Sequence, residues 1–143
     1  MRISDLLRNK GSNVSTANPK MTVAELIAAL AEHNVGALVV VEDGRVIGIV
    51  SERDVVRKLH RSGAAVLKAP VSAIMTTDVV SCVPTDHVDS LAEIMTERRV
   101  RHMPVVVDGR LTGIVSIGDV VKSRISELES DREQLETYIA GGR

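Results

Sequence analysis

Apolar and polar positions along the chain follow one pattern that is used twice. Val23, Leu26, Ile27 and Leu30 recur at helical spacing, behind a Thr22-Val-Ala-Glu25 stretch with the form of a capping box. Two β-branched runs follow, residues 38–41 and 46–50, on either side of Asp43-Gly44. Asp-Gly between apolar runs predicts a hairpin, because both turn residues then sit at positive φ. The runs are apolar throughout, which predicts strands covered on both faces. A helix is expected from Ser51, and residues 14–17, ahead of the break at Pro19, read as a short opening strand.

Farther along, the series returns. Residues 79–83 form the strand, Pro84 the break, and Val88, Leu91, Ala92 and Met95 the helical stripe, with Asp86 as its expected cap. Residues 103–107 and 111–115 flank Asp108-Gly109, and Ser116 starts the next helix. Of the 43 positions from 14 to 56, 18 carry the same residue 65 places on, so the chain is a duplication. Ile3-Ser-Asp-Leu-Leu matches Val71-Ser-Ala-Ile-Met at an offset of 68, so the first copy holds three extra residues, around Asn9 to Ser12. One unit of about 60 residues buries too little apolar surface to be secure alone. Two units packed about a pseudo-twofold axis share their cores and leave clefts at the junction, where ligands bind. The expected fold is α/β (α+β): two β-α-β-β-α units, 1–63 and 64–124, then a C-terminal helix and tail, 125–143. From Val121, apolar residues at Ile125, Leu128, Leu135 and Ile139, with Arg132 in one register position, make a stripe of coiled-coil kind. The stripe outlasts the two-unit core, which favours a partner helix from a second copy over folding back on its own unit; Gly141-Gly142 ends it.

Composition narrows the function. Eighteen Lys and Arg against 19 Asp and Glu leave a net charge of −1, with no one-signed field to hold nucleic acid or an anionic membrane. One Tyr, no Phe and no Trp leave no aromatic platform for single strands. One Cys excludes an internal disulfide and a thiolate-built metal site. The longest apolar run, residues 35–41, falls far short of the roughly 20 residues of a membrane span. The first residues have no apolar signal core, so a cytoplasmic location is expected.

Two motifs then stand out: Gly48-Ile-Val-Ser-Glu-Arg-Asp54 and Gly113-Ile-Val-Ser-Ile-Gly-Asp119, each after an Asp-Gly hairpin. With this Gly-x-x-Ser-x-x-Asp motif and the duplicated unit, residues 3 to about 124 resemble a tandem pair of cystathionine-β-synthase (CBS) domains, or Bateman module, of the stand-alone type. The resemblance implies regulatory binding of adenosine-containing ligands (AMP, ADP, ATP, NAD-type dinucleotides, S-adenosylmethionine) in the clefts between units. It also implies dimers of pairs. The expectation that goes with it is a homodimeric, non-catalytic sensor of AMP, ATP or NAD(H) that signals to a protein target.

Ser51 and Ser116 sit where a strand ends and a helix begins. The plainer reading is that each caps its helix and that Asp54 or Asp119 completes a capping box. The same helix N-termini offer N–H groups and a dipole to phosphate, and an Asp can accept from both ribose hydroxyls, so both readings can hold at once. A carboxylate repels phosphate, so Asp54 and Asp119 are expected to face sugar, where the family resemblance also places them. Arg53, Arg99, Arg101 and His102 are the candidate phosphate contacts; Arg57, Lys58 and Lys122 read as solvated, and Arg98 as helix-dipole compensation. Gly118 lets a ligand approach the backbone closely. Thr16, Ala17, Ala37, Val80, Ser81, Met103 and Pro104 are the expected adenine walls. The basic Arg98-Arg-Val-Arg-His102 has a nearly neutral counterpart, His33-Asn-Val-Gly-Ala37, so two unequal sites are expected. Enzyme readings are weak. Cys82 has no adjacent His and reads as a buried thiol, and His33, His60, His87 and His102 are too scattered for a metal site. No Walker loop or serine elbow appears. The alternative to a sensor is a ligand-free interaction module in which the motifs only cap helices.

Overall fold

Each Asp-Gly pair turns the chain at positive φ: 52° and 79° at Asp43 and Gly44, 52° and 76° at Asp108 and Gly109. Around these turns the computed structural model, which describes residues 1–11 and 14–141, builds two matching halves. The first holds α1 (Ile3–Lys10), β1 (Thr16–Ala17), α2 (Val23–His33), β2 (Ala37–Glu42), β3 (Arg45–Ser51) and α3 (Glu52–Ser62). Two 3-10 turns, Gly63–Lys68 and Val71–Ala73, lead to α4 (Val88–Arg98), β4 (His102–Val107), β5 (Arg110–Ser116) and α5 (Ile117–Gly141). The strands form one mixed sheet in the order β1-β2-β3-β5-β4, with β1 parallel to β2 and the other pairs antiparallel. Both hairpins shift register at the same place, Val40/Val41 and Val105/Val106, and they join where Arg45 lies opposite Arg110.

The N-terminal stretch of each copy crosses to the other half. Ile3 and Leu6 of α1 are buried with Leu91, Met95, Met103, Val105 and Val115 in the second core. Val71 and Ile74 are buried with Val23, Leu26, Leu38, Val40 and Val50 in the first. By position α1 belongs with residues 1–63; by packing it belongs to the second core. Two glycines admit the crossings: a Cβ at Gly113 would lie 2.8 Å from Leu7 Cδ2, and one at Gly48 would lie 2.7 Å from Met75 Sδ. Backbone bonds seal them, Ile3 N to Asp86 O at 2.9 Å and Val71 N to Met21 O at 2.7 Å.

Three local expectations are corrected. Residues 79–83 pair only through one bridge, Cys82 with Val105. Asp86 does not cap α4: its Oδ2 accepts from Val83 N at 2.9 Å, which ties the turn, and His87 stands at the N-cap without a side-chain bond. The boundary at 124/125 falls inside α5, which runs unbroken. Thr22 caps α2 as expected, accepting from Glu25 N at 3.1 Å. The apolar stripe of α5 faces outward, with Leu128 54% exposed, and only Val120 and Ser123 of that helix are buried. Ser12 and Gly142, named above for the extra residues and the helix end, lie outside the described residues.

Candidate functional site

Both motifs fold the same way at the backbone. Ser51 leaves β3 extended, its Oγ accepts from Asp54 N at 3.3 Å, and Asp54 Oδ2 accepts from Ser51 N at 2.9 Å. In the second copy Asp119 N donates to Ser116 Oγ at 3.1 Å and Ser116 N donates to Asp119 Oδ2 at 2.8 Å. Each carboxylate therefore closes a capping box with Oδ2.

A cleft of about 380 Å³ opens beside Asp54, near the lower end of the roughly 300–1,000 Å³ span of small-molecule sites. From α3 and its cap come Ser51, Glu52, Arg53, Asp54 and Arg57; from the other half come Arg99, Val100, Arg101 and His102. Thr76, Asp78 and Val80, on the segment joining the halves, and Gly36, Ala37 and Ile49 complete it. The basic cluster of the second copy thus serves the motif of the first. Arg99 is the left-handed C-cap of α4, at φ 55°, where the first copy has Asn34 at φ 52°. Asn tolerates that conformation better than Arg does, so the arginine is held there against its backbone preference.

The expected site residues divide accordingly. Ser51, Arg53, Asp54, Arg101, His102, Ala37 and Val80 line the cleft, as does Arg99. Ser116, Gly118 and Asp119 stand together at the second motif, and a Cβ at Gly118 would make an ordinary contact with Ser116 Oγ at 3.6 Å. The expected walls Ala17 and Met103 are 2% and 0% exposed inside the two cores. Alternation along β4 explains Met103, because His102 faces the cleft and its neighbour the core. Pro104 is buried and its carbonyl accepts from Cys82 N at 2.9 Å. Thr16 and Ser81 are exposed but are not among the cleft's lining residues. Arg57, read from sequence as solvated, lines the cleft; it follows Arg53 by four residues and so shares its helix face. Thr76 and Asp78 carried no motif signal.

The second motif has a partner that the sequence did not single out. Lys10, in the last turn of α1, donates from Nζ to Asp119 Oδ2 at 2.5 Å and to Ile114 O at 2.8 Å. In the first copy the matching acceptors face Thr76: Thr76 N donates to Ile49 O at 2.8 Å, and Thr76 Oγ1 stands 3.5 Å from Asp54 Oδ1. Burial pushes the Asp119 carboxyl up, but the bonds from Lys10 and Ser116 outweigh it and hold it below the ordinary range. His102 is pushed down, first by burial and then by Lys10, so its ring is neutral at pH 7. Its Cε1 lies 3.5 Å from the place a Cβ would take on Gly36, so the ring covers that glycine. Burial pushes the Cys82 thiol up to about 12, which leaves it unreactive. No described helix is long and apolar enough to cross a membrane.

Two stretches, residues 3–61 and 71–126, match the CBS domain family. The CBS domain-containing protein CBSX3, mitochondrial, of Arabidopsis thaliana is 36% identical over 149 residues, covering 98% of this chain and 72% of that protein. The CBS domain-containing protein YhcV of Bacillus subtilis (strain 168) is 32% identical over 115 residues, 80% of this chain and 81% of its own. Among solved structures, the CBS-domain containing protein ATU1752 from Agrobacterium tumefaciens superposes with a TM-score of 0.84 at 47% identity, over 87% of this chain and 99% of that one. The CBS domain pair of protein MJ0100, in complex with 5′-methylthioadenosine and S-adenosyl-L-methionine, superposes with a TM-score of 0.79 at 25% identity, over 89% and 98%.

Proposed function

The chain belongs to the CBS domain family as a tandem pair, and on that premise we propose that it is a cytoplasmic, non-catalytic sensor of an adenine nucleotide (AMP, ATP or NAD(H)) that reports to a protein target. The observation that carries the reading is the cleft beside Asp54, where that carboxylate, with Glu52 and Asp78 also in the lining, stands among Arg53, Arg57, Arg99 and Arg101 over apolar walls. The carboxylate accepts from ribose hydroxyls. The arginines and the start of α3 hold phosphate. Ala37, Ile49, Val80 and Val100 pack on adenine in place of aromatic side chains. The adenosine ligands of the MJ0100 domain pair support this choice of chemistry.

A ligand here touches α3 of one half and the start of β4 of the other. It shifts their arrangement only as far as it binds one arrangement better. The outward stripe of α5 and the exposed Val56 and Val121 are the surfaces on which a second copy packs in the homodimer of this reading. A dye-based thermal-shift panel tests the sensor, since the chain has no Trp. AMP, ADP, ATP, NAD⁺, NADH and S-adenosylmethionine are tried on wild type, Asp54→Ala and Asp119→Ala. A ligand at 100 times its Kd adds about 2.7 kcal/mol, a shift of several degrees, and the shift is lost in Asp54→Ala. No shift with any ligand overturns the sensor in favour of a ligand-free interaction module.

A further inference from the structure

The two motifs present the same pair of acceptors, a strand carbonyl and a capping-box carboxylate, but to different neighbours. At Ile49 and Asp54 the neighbour is the neutral Thr76. At Ile114 and Asp119 it is the ammonium of Lys10. The side chains of Lys10 and Asp119 are 34% and 23% exposed, so the pair stands at the edge of the fold and not in its core. Among the described residues Asp54 makes no ion pair.

We propose that Lys10 is a specificity-determining residue of the second motif: it closes Asp119 to an uncharged nucleoside and yields only to a nucleoside that carries its own anion. This rests on the nucleotide reading above. A ribose diol can replace Lys10 as donor to Asp119, but it leaves the ammonium without a counter-charge. A 5′-phosphate supplies one, so that Asp119 turns to the sugar and Lys10 to the phosphate. The exchange is open to lysine because its ammonium sits on a flexible four-carbon stem and its three donors rotate freely. Gly118, at the start of α5, adds no side chain next to the carboxylate; a Cβ there would meet Ser116 Oγ at 3.6 Å. At the first motif, where Thr76 replaces the ammonium, no counter-charge is displaced and the bare nucleoside is not penalised in this way.

The test is calorimetric titration with AMP and adenosine, a pair differing only in the phosphate. Wild type is titrated first, then Asp54→Ala, in which the first cleft is disabled, then Asp54→Ala combined with Lys10→Met or Lys10→Arg. Melting curves confirm that each variant is folded. In Asp54→Ala, AMP is expected to bind at one equivalent and adenosine about tenfold more weakly or worse. Lys10→Met collapses that preference, weakening AMP and strengthening adenosine, whereas Lys10→Arg keeps it. Equal affinities in Asp54→Ala, or a preference that survives Lys10→Met, overturn the proposal. Binding to wild type with none to Asp54→Ala also overturns it, since Lys10 would then be a permanent plug, and the sensor reading would stand. No binding of either compound to wild type removes the sensor reading and this proposal together.

Discussion

The two motif regions share a backbone and differ in company. Each has its Asp-Gly hairpin, its register shift at the matching place, Val40/Val41 or Val105/Val106, and its Ser–Asp capping box. What differs is the segment that crosses over from the opposite half. In the first region that segment is the short turn Val71–Ala73, after which Thr76 bridges Ile49. In the second it is α1, lengthened to eight residues, and its last turn delivers Lys10. Duplication conserved the scaffold, where change costs stability, and left divergence to the crossing strap, which meets the site with one side chain. Beside the exchange of Glu52-Arg53 for Ile117-Gly118 within the motif, a few residues in a strap set the electrostatics of the second site.

The largest effects come from the cores, where the halves are expected to behave alike. Leu26 and Leu91 are both fully buried at matching positions. Truncating either to Ala should cost about 2–5 kcal/mol in urea unfolding, and the two costs should be close. A large inequality would show that one core is dominant and that the duplication is structural in name only. The crossing adds a spatial prediction. Ile3→Ala should lower amide-exchange protection in β4 and β5 first, and Val71→Ala in β2 and β3 first, because each residue packs in the core of the other copy's strands. Loss of protection in the sequence-adjacent hairpin instead would refute the exchange of segments.

Smaller and more discriminating is a glycine pair. A Cβ at Gly48 would press on Met75 Sδ at 2.7 Å and on the Thr76 carbonyl oxygen at 3.0 Å, which is backbone held in a bridge. At Gly113 the obstruction is the end of Leu7, 2.8 Å away, and a leucine can change rotamer. Overpacking costs typically about 1–3 kcal/mol, so Gly48→Ala should lie near the top of that span and Gly113→Ala near the bottom. Equal losses in thermal or urea unfolding would mean that the two straps are equally rigid.

How far the sequence carried this reading depends on the range of the signal. The hairpins, α2, the two Ser–Asp boxes and the duplication are local or repetitive, and all were legible. The surplus of three residues around Asn9 to Ser12 was legible too, but not its effect, because nothing in the run near Lys10 says that it will face Asp119, 109 positions away. Arg57 is exposed, as expected, but that it also lines the cleft follows only from its helical phase relative to Arg53. Ala17 and Met103 were misplaced because an apolar residue beside a cleft and one in the core look the same until strand alternation is fixed in space. Asp86 was lost to a competing turn, a local hydrogen bond that outbid the expected helix cap.

The smallest expected effect would show whether the two regions are electrically joined. His102 lines the first cleft, pairs in register with Ser116 of the second motif, and feels Lys10, Asp119, Glu52 and Arg101. Its first-copy counterpart is Ala37, so only one of the regions titrates through this position. Burial and the nearby Lys10 ammonium lower its protonation range in the fold from the ordinary 6.5. Between 6.5 and the depressed folded value the unfolded chain holds more protons than the folded one. Stability from this group is therefore present above 6.5 and is lost as the pH falls through that window. Asp119 loses its contribution separately, as the pH falls from its ordinary 3.8 through its lowered folded value. Urea unfolding at a series of pH values should show the upper limb in wild type and a flatter profile in His102→Ala, which copies the first half. If Lys10→Met also shortens the limb, by removing one of the charges that depress His102, then the strap of the second motif is sensed in the cleft of the first. A limb left unchanged in His102→Ala would assign it to another histidine and leave the two clefts electrically independent.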